Sequence, residues 1–330
     1  MRVAVLGAGA VGGMFAALLD RAGYDIEVTA RGDNLAAIRA AGIRLDGGYG
    51  EHVARVTAGE QLTARPDLAI LTTKAQDAAS AIEPARELLD GVPVVVSQNG
   101  LGGLAVAHEL LPASPLIGAL VLAAVSFLEP GRVTVTTPLP TIIGRGPGCS
   151  PEEFERVLSM LEALELEVTD DLPAAQWTKL MINHVNALPA IVGTSVQEVI
   201  ADDGLRAILA ASLAESSRIA RALGVRFTDL QGYPGETFAA MADMPRDELE
   251  AFPLVFAERL GPVPNPASTL QSIRRGRLTE IDYLNGAVVQ AAAEAGLDAP
   301  INRALVELVH EVERTGQHIA PSDVMQRIPV

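Results

Sequence analysis

The stretch from Arg2 to Ala22 constrains the fold more than any other. An apolar strand, Arg2-Val-Ala-Val-Leu6, runs into Gly7-Ala8-Gly9-Ala10-Val11-Gly12, then into an apolar, Ala-rich helix over Val11–Ala22. Strand, glycine turn and helix in this order are the dinucleotide-binding signature of a doubly wound α/β sheet. Gly7 permits the tight turn, Gly9 lets the backbone approach a pyrophosphate, and Gly12 lets the helix pack close on the strand. The helix start adds unpaired N–H groups and a partial positive charge. Gly7, Ala8, Gly9, Ala10, Val11 and Gly12 are therefore the first candidate cofactor-binding residues.

Composition sets the outer bounds. A chain of 330 residues is long enough for two domains, and 49% hydrophobic residues can fill two cores. No apolar run reaches membrane-spanning length, and the N-terminal apolar stretch is the first strand rather than a leader. The single cysteine, Cys149, allows no intrachain disulfide, which suits a reducing compartment. The expectation is a soluble cytoplasmic protein. A net charge of −16 argues against nucleic acid as a partner. An anionic cofactor stays open, because local arginines and helix ends decide its binding.

The second strand, Asp25–Ala30, ends in Ala30-Arg31 where an NAD-binding unit would place an Asp or Glu. A small residue followed by a guanidinium suits a 2′-phosphate, so NADP(H) is the expected cofactor. Asp33 or Asn34 is expected to cap a helix over Leu35–Ala41. Ile43–Leu45 and His52–Val56 read as a hairpin, with His52 facing solvent. Buried strands follow at Leu68–Thr72, ending at Thr73-Lys74, and at Pro93–Ser97, ending at Gln98-Asn99-Gly100. A helix is expected between them, over Asp77–Leu89. Leu116–Ala124, Arg132–Thr137 and Thr141–Gly144 are expected to continue the sheet. Pro151–Leu164 then reads as a helix and Leu166–Thr169 as a last strand. Ligands bind beyond the carboxyl ends of such strands, so Gly7–Gly12, Arg31, Lys74 and Asn99 should line one crevice.

After Asp170 the character changes to helical periodicity, through Ala174–Leu188, Gly204–Leu223, Arg246–Leu260, Ser268–Arg275, Glu280–Ala295 and Ile301–Thr315. The expected division is a Rossmann-type NADP-binding domain over 1–172 and an all-helical substrate and catalytic domain over 173–330.

The second half opens with Trp177-Thr-Lys179-Leu-Met-Ile-Asn183. Lys179 and Asn183, four apart, share one helix face. Only two of the 25 basic residues Lys+Arg are lysines, Lys74 and Lys179. Lys can lose a proton near working pH when its surroundings shift it, and Arg cannot. His184 faces away from Asn183 and reads as a packing or surface residue. Further on stand Asn265-Pro-Ala-Ser268 and Thr279-Glu280-Ile-Asp282-Tyr283. Thr279 with Asp282 has the form of an N-cap pair, placing Glu280 in the first turn of a helix whose field favours its ionised form.

These segments, in this order, resemble the ketopantoate reductase family over nearly the whole chain. The carrying residues are Gly7–Gly12, Ala30-Arg31-Gly32, Thr73-Lys74-Ala75, Gln98-Asn99-Gly100, Trp177-Thr-Lys179-Leu180 with Asn183, Asn265-Pro-Ala-Ser268 and Thr279–Tyr283. The resemblance implies reduction of a 2-keto acid with NADPH, with 2-dehydropantoate going to pantoate on the way to pantothenate and coenzyme A. It implies Lys179 as general acid and Glu280 in the catalytic polar network and beside the cofactor. It implies Asn99, Asn183, Asn265 and Ser268 as substrate-binding residues. Asn99 would also sit by the nicotinamide ribose, with Arg31 and Lys74 near the 2′-phosphate. No metal is expected, and a homodimer stays open. Three positions depart from the family pattern. The second Asn lies three residues beyond Asn183, at Asn186, instead of four, which rotates it by about 100° on an α-helix. Ser272 and Gly103 replace the usual Asp and Asn. The same hydride chemistry on another 2-keto acid is therefore an alternative, and a non-catalytic NADP-binding regulator a further one.

Overall fold

The computed structural model describes all of residues 1–330 and divides into two compact units, Met1–Leu172 and Pro173–Val330. In the first unit, β1 (Arg2–Leu6), β2 (Asp25–Thr29), β3 (Ile43–Gly47), β4 (His52–Ala54), β5 (Thr57–Gly59), β6 (Leu68–Leu71) and β7 (Val94–Val96) precede β8 (Leu116–Val121). After it come β9 (Ala124–Glu129), β10 (Arg132–Thr137), β11 (Thr141–Arg145) and β12 (Leu166–Val168). The helices of this unit are α1 (Ala10–Arg21), α2 (Gly32–Ala41), α3 (Ala78–Ile82), α4 (Arg86–Leu89), α5 (Gly103–Leu110) and α6 (Pro151–Met160).

The main sheet has eight strands in the order β12-β11-β8-β7-β6-β1-β2-β5. All neighbours pair in parallel except β8 with β11. Strands buried on both faces need helices on both sides, and the alternation of residues shows this. Val3 and Val5 join a core with Met14, Leu19, Ile38 and Phe154. Ala4 and Leu6 point the other way, into a core with Ile82, Leu89, Ala107 and Leu111. The expected α/β fold with a Rossmann-type first part is observed.

The structure corrects several local expectations. Arg132–Thr137 leaves the main sheet for a separate four-stranded one, β4-β3-β10-β9, in which β10 pairs in parallel with β3. The expected strand Leu116–Ala124 is divided between the two sheets. The expected helix Asp77–Leu89 is broken into short α and 3₁₀ pieces around Pro84, which lacks the donor a continuous helix needs. His52 does not simply face solvent: its Nε2 lies 2.7 Å from Asp20 Oδ2. Cys149, by contrast, is a buried core residue, in keeping with a structural role.

The second unit is entirely helical. Helix α7 (Leu172–Asn183) passes through a 3₁₀ turn (His184–Asn186) into α8 (Ala187–Val192). Then follow α9 (Val196–Ala201), α10 (Asp203–Ala222), α11 (Gly235–Ala240), α12 (Arg246–Ala251), α13 (Pro253–Leu260) and α14 (Ala267–Arg274). A 3₁₀ turn (Ile281–Tyr283) leads into α15 (Asn285–Glu294), α16 (Pro300–Thr315) and α17 (Pro321–Arg327). Pro253 divides the expected helix Arg246–Leu260. The core holds Leu188, Ile208, Leu213, Phe238, Phe256, Leu305 and Val309. No helix is long and apolar enough to cross a membrane.

Candidate active site

In the first unit β2, β1, β6 and β7 are neighbours. The residues that follow them, Arg31, the glycine turn, Lys74 and Asn99, therefore succeed one another along the carboxyl ends of the strands. The chain order reverses at β1, the position where open α/β sheets take their ligands.

The glycine turn is shaped by its neighbours. Gly7 has φ +101°, and a Cβ there would stand 2.8 Å from the Thr73 methyl. A Cβ on Gly12 would run into the Gly7 carbonyl and the Thr72 hydroxyl. Beside Gly9 there is nothing within 4 Å of where a Cβ would stand, so the backbone at the helix start is open to an incoming group. The carbonyls of the turn are already committed. Thr72 Oγ1 donates to Gly7 O at 2.8 Å, and Asn34 Nδ2 donates to Ala8 O at 2.7 Å. The first turn of α1 carries no acid, so its positive end is uncompensated. These features fit a dinucleotide pyrophosphate.

Asn34 departs from its expected role. It makes no cap on α2; its Oδ1 accepts from Gly131 N at 2.9 Å. It ties the glycine turn to the β9–β10 turn, a contact 97 residues apart that no local pattern signals. Arg31 is exposed at the start of α2, beside buried Ala30, and no acid stands at the end of β2.

Gln98, named in the sequence only as part of a motif, has a role that the motif does not assign. Its Nε2 donates to Thr73 O at 3.0 Å and Lys74 O at 3.3 Å, clamping the loop that carries Lys74. Gln98 Oε1 and Thr73 Oγ1 are buried with no partner within the protein. Gly103 has its explanation here: a Cβ at that position would collide with Gln98 Oε1.

In the second unit Lys179 and Asn183 lie on α7 as the spacing requires, both half-buried. Burial brings the Lys179 ammonium down from the ordinary value of 10.5 to about 8, and the charge of Glu280 opposes that fall. Glu280 is not in the first turn of an α-helix. It precedes the 3₁₀ turn, where Thr279 Oγ1 accepts from Ile281 N at 3.3 Å. Helix α16 holds this segment: Glu313 Oε1 accepts from Thr279 N at 2.7 Å, and His310 Nε2 lies 3.1 Å from Asp282 Oδ1. His184 is buried, with its ring nitrogens on Leu180 O and Ser216 Oγ, so it packs as expected.

The shifted Asn has a different outcome from the one its spacing predicts. Asn186 lies in the 3₁₀ turn after α7, and 3₁₀ winding returns residue i+3 to the side of residue i. Asn186 Nδ2 donates to Asn183 O at 2.8 Å, and Asn186 Oδ1 accepts from Ser268 N at 3.0 Å and Ser268 Oγ at 3.1 Å. Asn265 Oδ1 accepts from Ala267 N at 2.8 Å, supporting a backbone whose Ala267 has φ 59°. The structure thus joins Asn183 and Ser268 through Asn186, with Asn265 fixing the approach to Ser268. Asn183 Nδ2 is buried with no partner within the protein.

Residues 3–148 match the family described as ketopantoate reductase PanE/ApbA, and residues 171–313 match its C-terminal part. The chain belongs to the ketopantoate reductase family. Among proteins similar to it, the 2-dehydropantoate 2-reductase of Pyrococcus horikoshii is 30% identical over 319 residues, covering 96% of this chain and 99% of the relative. The 2-dehydropantoate 2-reductase of Mesorhizobium japonicum is 30% identical over 94% of this chain and 98% of its own. The crystal structure of a PanE/ApbA family ketopantoate reductase from Ralstonia eutropha has a TM-score of 0.81 at 28% identity, covering 96% of this chain and all, 100%, of that one. A D-mandelate dehydrogenase solved with NADH and anilino(oxo)acetate shares the fold, with a TM-score of 0.82 at 20% identity over 96% of this chain and 99% of that one. The resemblance read from the motifs is borne out, and the chain is an oxidoreductase of the ketopantoate reductase family.

Proposed function

We propose that this protein reduces 2-dehydropantoate to pantoate with NADPH, and that Lys179 is the general acid. Bound NADPH supplies the hydride. The first unit is the nucleotide-binding domain in this reading: Gly7–Gly12 take the pyrophosphate, Arg31 and Lys74 the 2′-phosphate, and Asn99 the nicotinamide ribose. The second unit is the substrate domain, with Asn183, Asn265 and Ser268 holding hydroxyl and carboxylate groups.

The state of Lys179 carries the proposal. Hydride arrival at a ketone carbon leaves negative charge on the oxygen, which must be neutralised by a donor within hydrogen-bond reach. An ammonium with a pKa of about 8 is protonated at neutral pH and still gives up its proton readily. Its charge also favours the growing negative charge on the oxygen. Glu280 keeps that ammonium from losing its proton too early.

The test is oxidation of NADPH by the purified protein with 2-dehydropantoate and a panel of other 2-keto acids. Turnover of 2-dehydropantoate supports the proposal. Turnover restricted to another 2-keto acid supports a second reading, for which the remaining departure, Ser272, speaks. NADPH binding without turnover of any panel member overturns the proposed reaction and favours a non-catalytic NADP-binding regulator or a substrate outside the panel.

A further inference from the structure

The hydrogen bonds around Asn186 assign the proton of a neighbouring hydroxyl. The orientation of the Asn186 amide is fixed by two backbone groups. Asn183 O can only accept, so it faces Nδ2. Ser268 N can only donate, so it faces Oδ1. Oδ1 cannot donate, so the Ser268 hydroxyl, 3.1 Å away, gives its one proton to Asn186. Asn186 is buried, at 6% exposure, whereas Ser268 is exposed to an incoming molecule.

Resting on the proposed 2-keto acid reduction, we infer that Asn186 is a specificity-determining positioning residue. By holding the Ser268 proton it makes Ser268 Oγ an acceptor only, which selects 2-keto acids that carry a hydroxyl over those that carry an alkyl group in its place. Ser268 then receives a hydrogen bond from the substrate hydroxyl. In the proposed reaction Lys179 Nζ serves the keto oxygen, and Asn183 Nδ2, buried with no partner within the protein, can serve the carboxylate. A substrate with a methyl group against Ser268 leaves an acceptor unpaired, and sites built for a hydroxyl reject analogues that lack it. The 3₁₀ turn makes this arrangement possible, because an uninterrupted α-helix would turn residue 186 away from Asn183.

The experiment compares kcat/KM for 2-dehydropantoate with that for its deoxy analogue, in which a methyl group replaces the hydroxymethyl. The wild-type protein should favour the hydroxylated compound by about tenfold or more. Asn186→Leu frees the Ser268 proton, and the ratio should collapse towards unity. Asn186→Asp keeps an acceptor for Ser268, so the ratio should persist even where both kcat/KM values fall. A ratio near unity in the wild type, with good turnover of 2-dehydropantoate, overturns the inference and leaves the proposed function standing. Equal losses on both substrates in Asn186→Leu overturn it too, since a merely structural role predicts them. If Asn186→Leu does not fold, the wild-type and Asn186→Asp ratios decide: loss of the preference in Asn186→Asp overturns the inference. Failure of the wild type on both compounds overturns the proposed function and the inference with it.

Discussion

The Nε2 of His184 lies 2.7 Å from the hydroxyl of Ser216, and its Nδ1 donates to Leu180 O at 2.8 Å. Ser216 belongs to a wholly buried group in which Asn302 Nδ2 reaches Glu215 Oε1 at 2.8 Å and Asn285 Nδ2 reaches Asn302 Oδ1 at 2.8 Å. Burial pushes the His184 imidazole down from 6.5 to about 4, so the folded protein holds it neutral. The unfolded chain binds the extra proton first. Stability from this group is complete above pH 6.5 and is lost as pH falls towards about 4. The expected loss is about 3 kcal/mol across that window. Denaturant titrations of wild type and His184→Phe at several pH values check it. The variant should be destabilised by about 2–4 kcal/mol at neutral pH, because Leu180 O and Ser216 lose a partner, and its stability should depend less on acid.

The proposed role of Lys179 predicts a pH dependence of activity. As general acid in the reductive direction it must be an ammonium, so kcat should fall as pH rises through about 8. Lys179→Ala should lower turnover by about a hundredfold to ten-thousandfold and leave NADPH affinity nearly unchanged in a direct binding titration. The linkage to folding has its own sign. A lysine depressed in the folded state favours the unfolded, protonated chain, so the protein should gain stability as pH rises from about 8 towards 10.5.

Glu280→Gln removes the charge that raises the Lys179 pKa. The alkaline limb of the kcat profile should move below pH 8 and the rate at neutral pH should drop. An unmoved limb would leave Glu280 with a structural role only.

Arg31→Ala should weaken NADPH binding by about 1.5–3 kcal/mol, the worth of a hydrogen bond to a charged group. NADH binding should hardly change. Fluorescence titration with both nucleotides reads the difference, and equal losses would contradict the 2′-phosphate assignment.

Gly103→Ala places a methyl group against Gln98 Oε1. It should displace the loop held by Gln98 and weaken nucleotide binding. Gln98→Ala alone also frees that loop. The double variant should be less impaired than the sum of the two, because the collision disappears with the side chain. Kd values of the four proteins for NADPH complete the cycle.

Legibility in the sequence followed the range of the interaction. The glycine turn was readable because strand, turn and helix are consecutive in the chain: Gly7 and Gly12 sit where a Cβ would collide, and Gly9 leaves the backbone open. Lys179 and Asn183 were readable because helical spacing alone puts them together. Asn34, Gln98 and Asn186 were not, because each works across the fold. Asn34 looked like a cap because such residues commonly are, but Ala8 O and Gly131 N claim its side chain. Asn186 looked misplaced because α-helical winding was assumed past Asn183, where the His184 imidazole takes the Leu180 carbonyl and the chain tightens to 3₁₀. Glu280 kept its relation to Lys179 but lost the expected helix, since Leu284 intervenes with φ −101° and ψ −100° before α15 begins.

The Asn34 bridge bears on synthesis as well as on binding. The carbonyl of Ala8 is secured by a side chain whose other end waits for Gly131, and β10 must then emerge to pair with β3. A ribosome that has released only the first hundred residues has delivered every glycine of the nucleotide turn with Asn34 and Thr72, but not Gly131. The link from Ala8 through Asn34 to Gly131 can therefore close only after the β9–β10 turn has left the exit tunnel, so this part of the turn's support is completed late in synthesis.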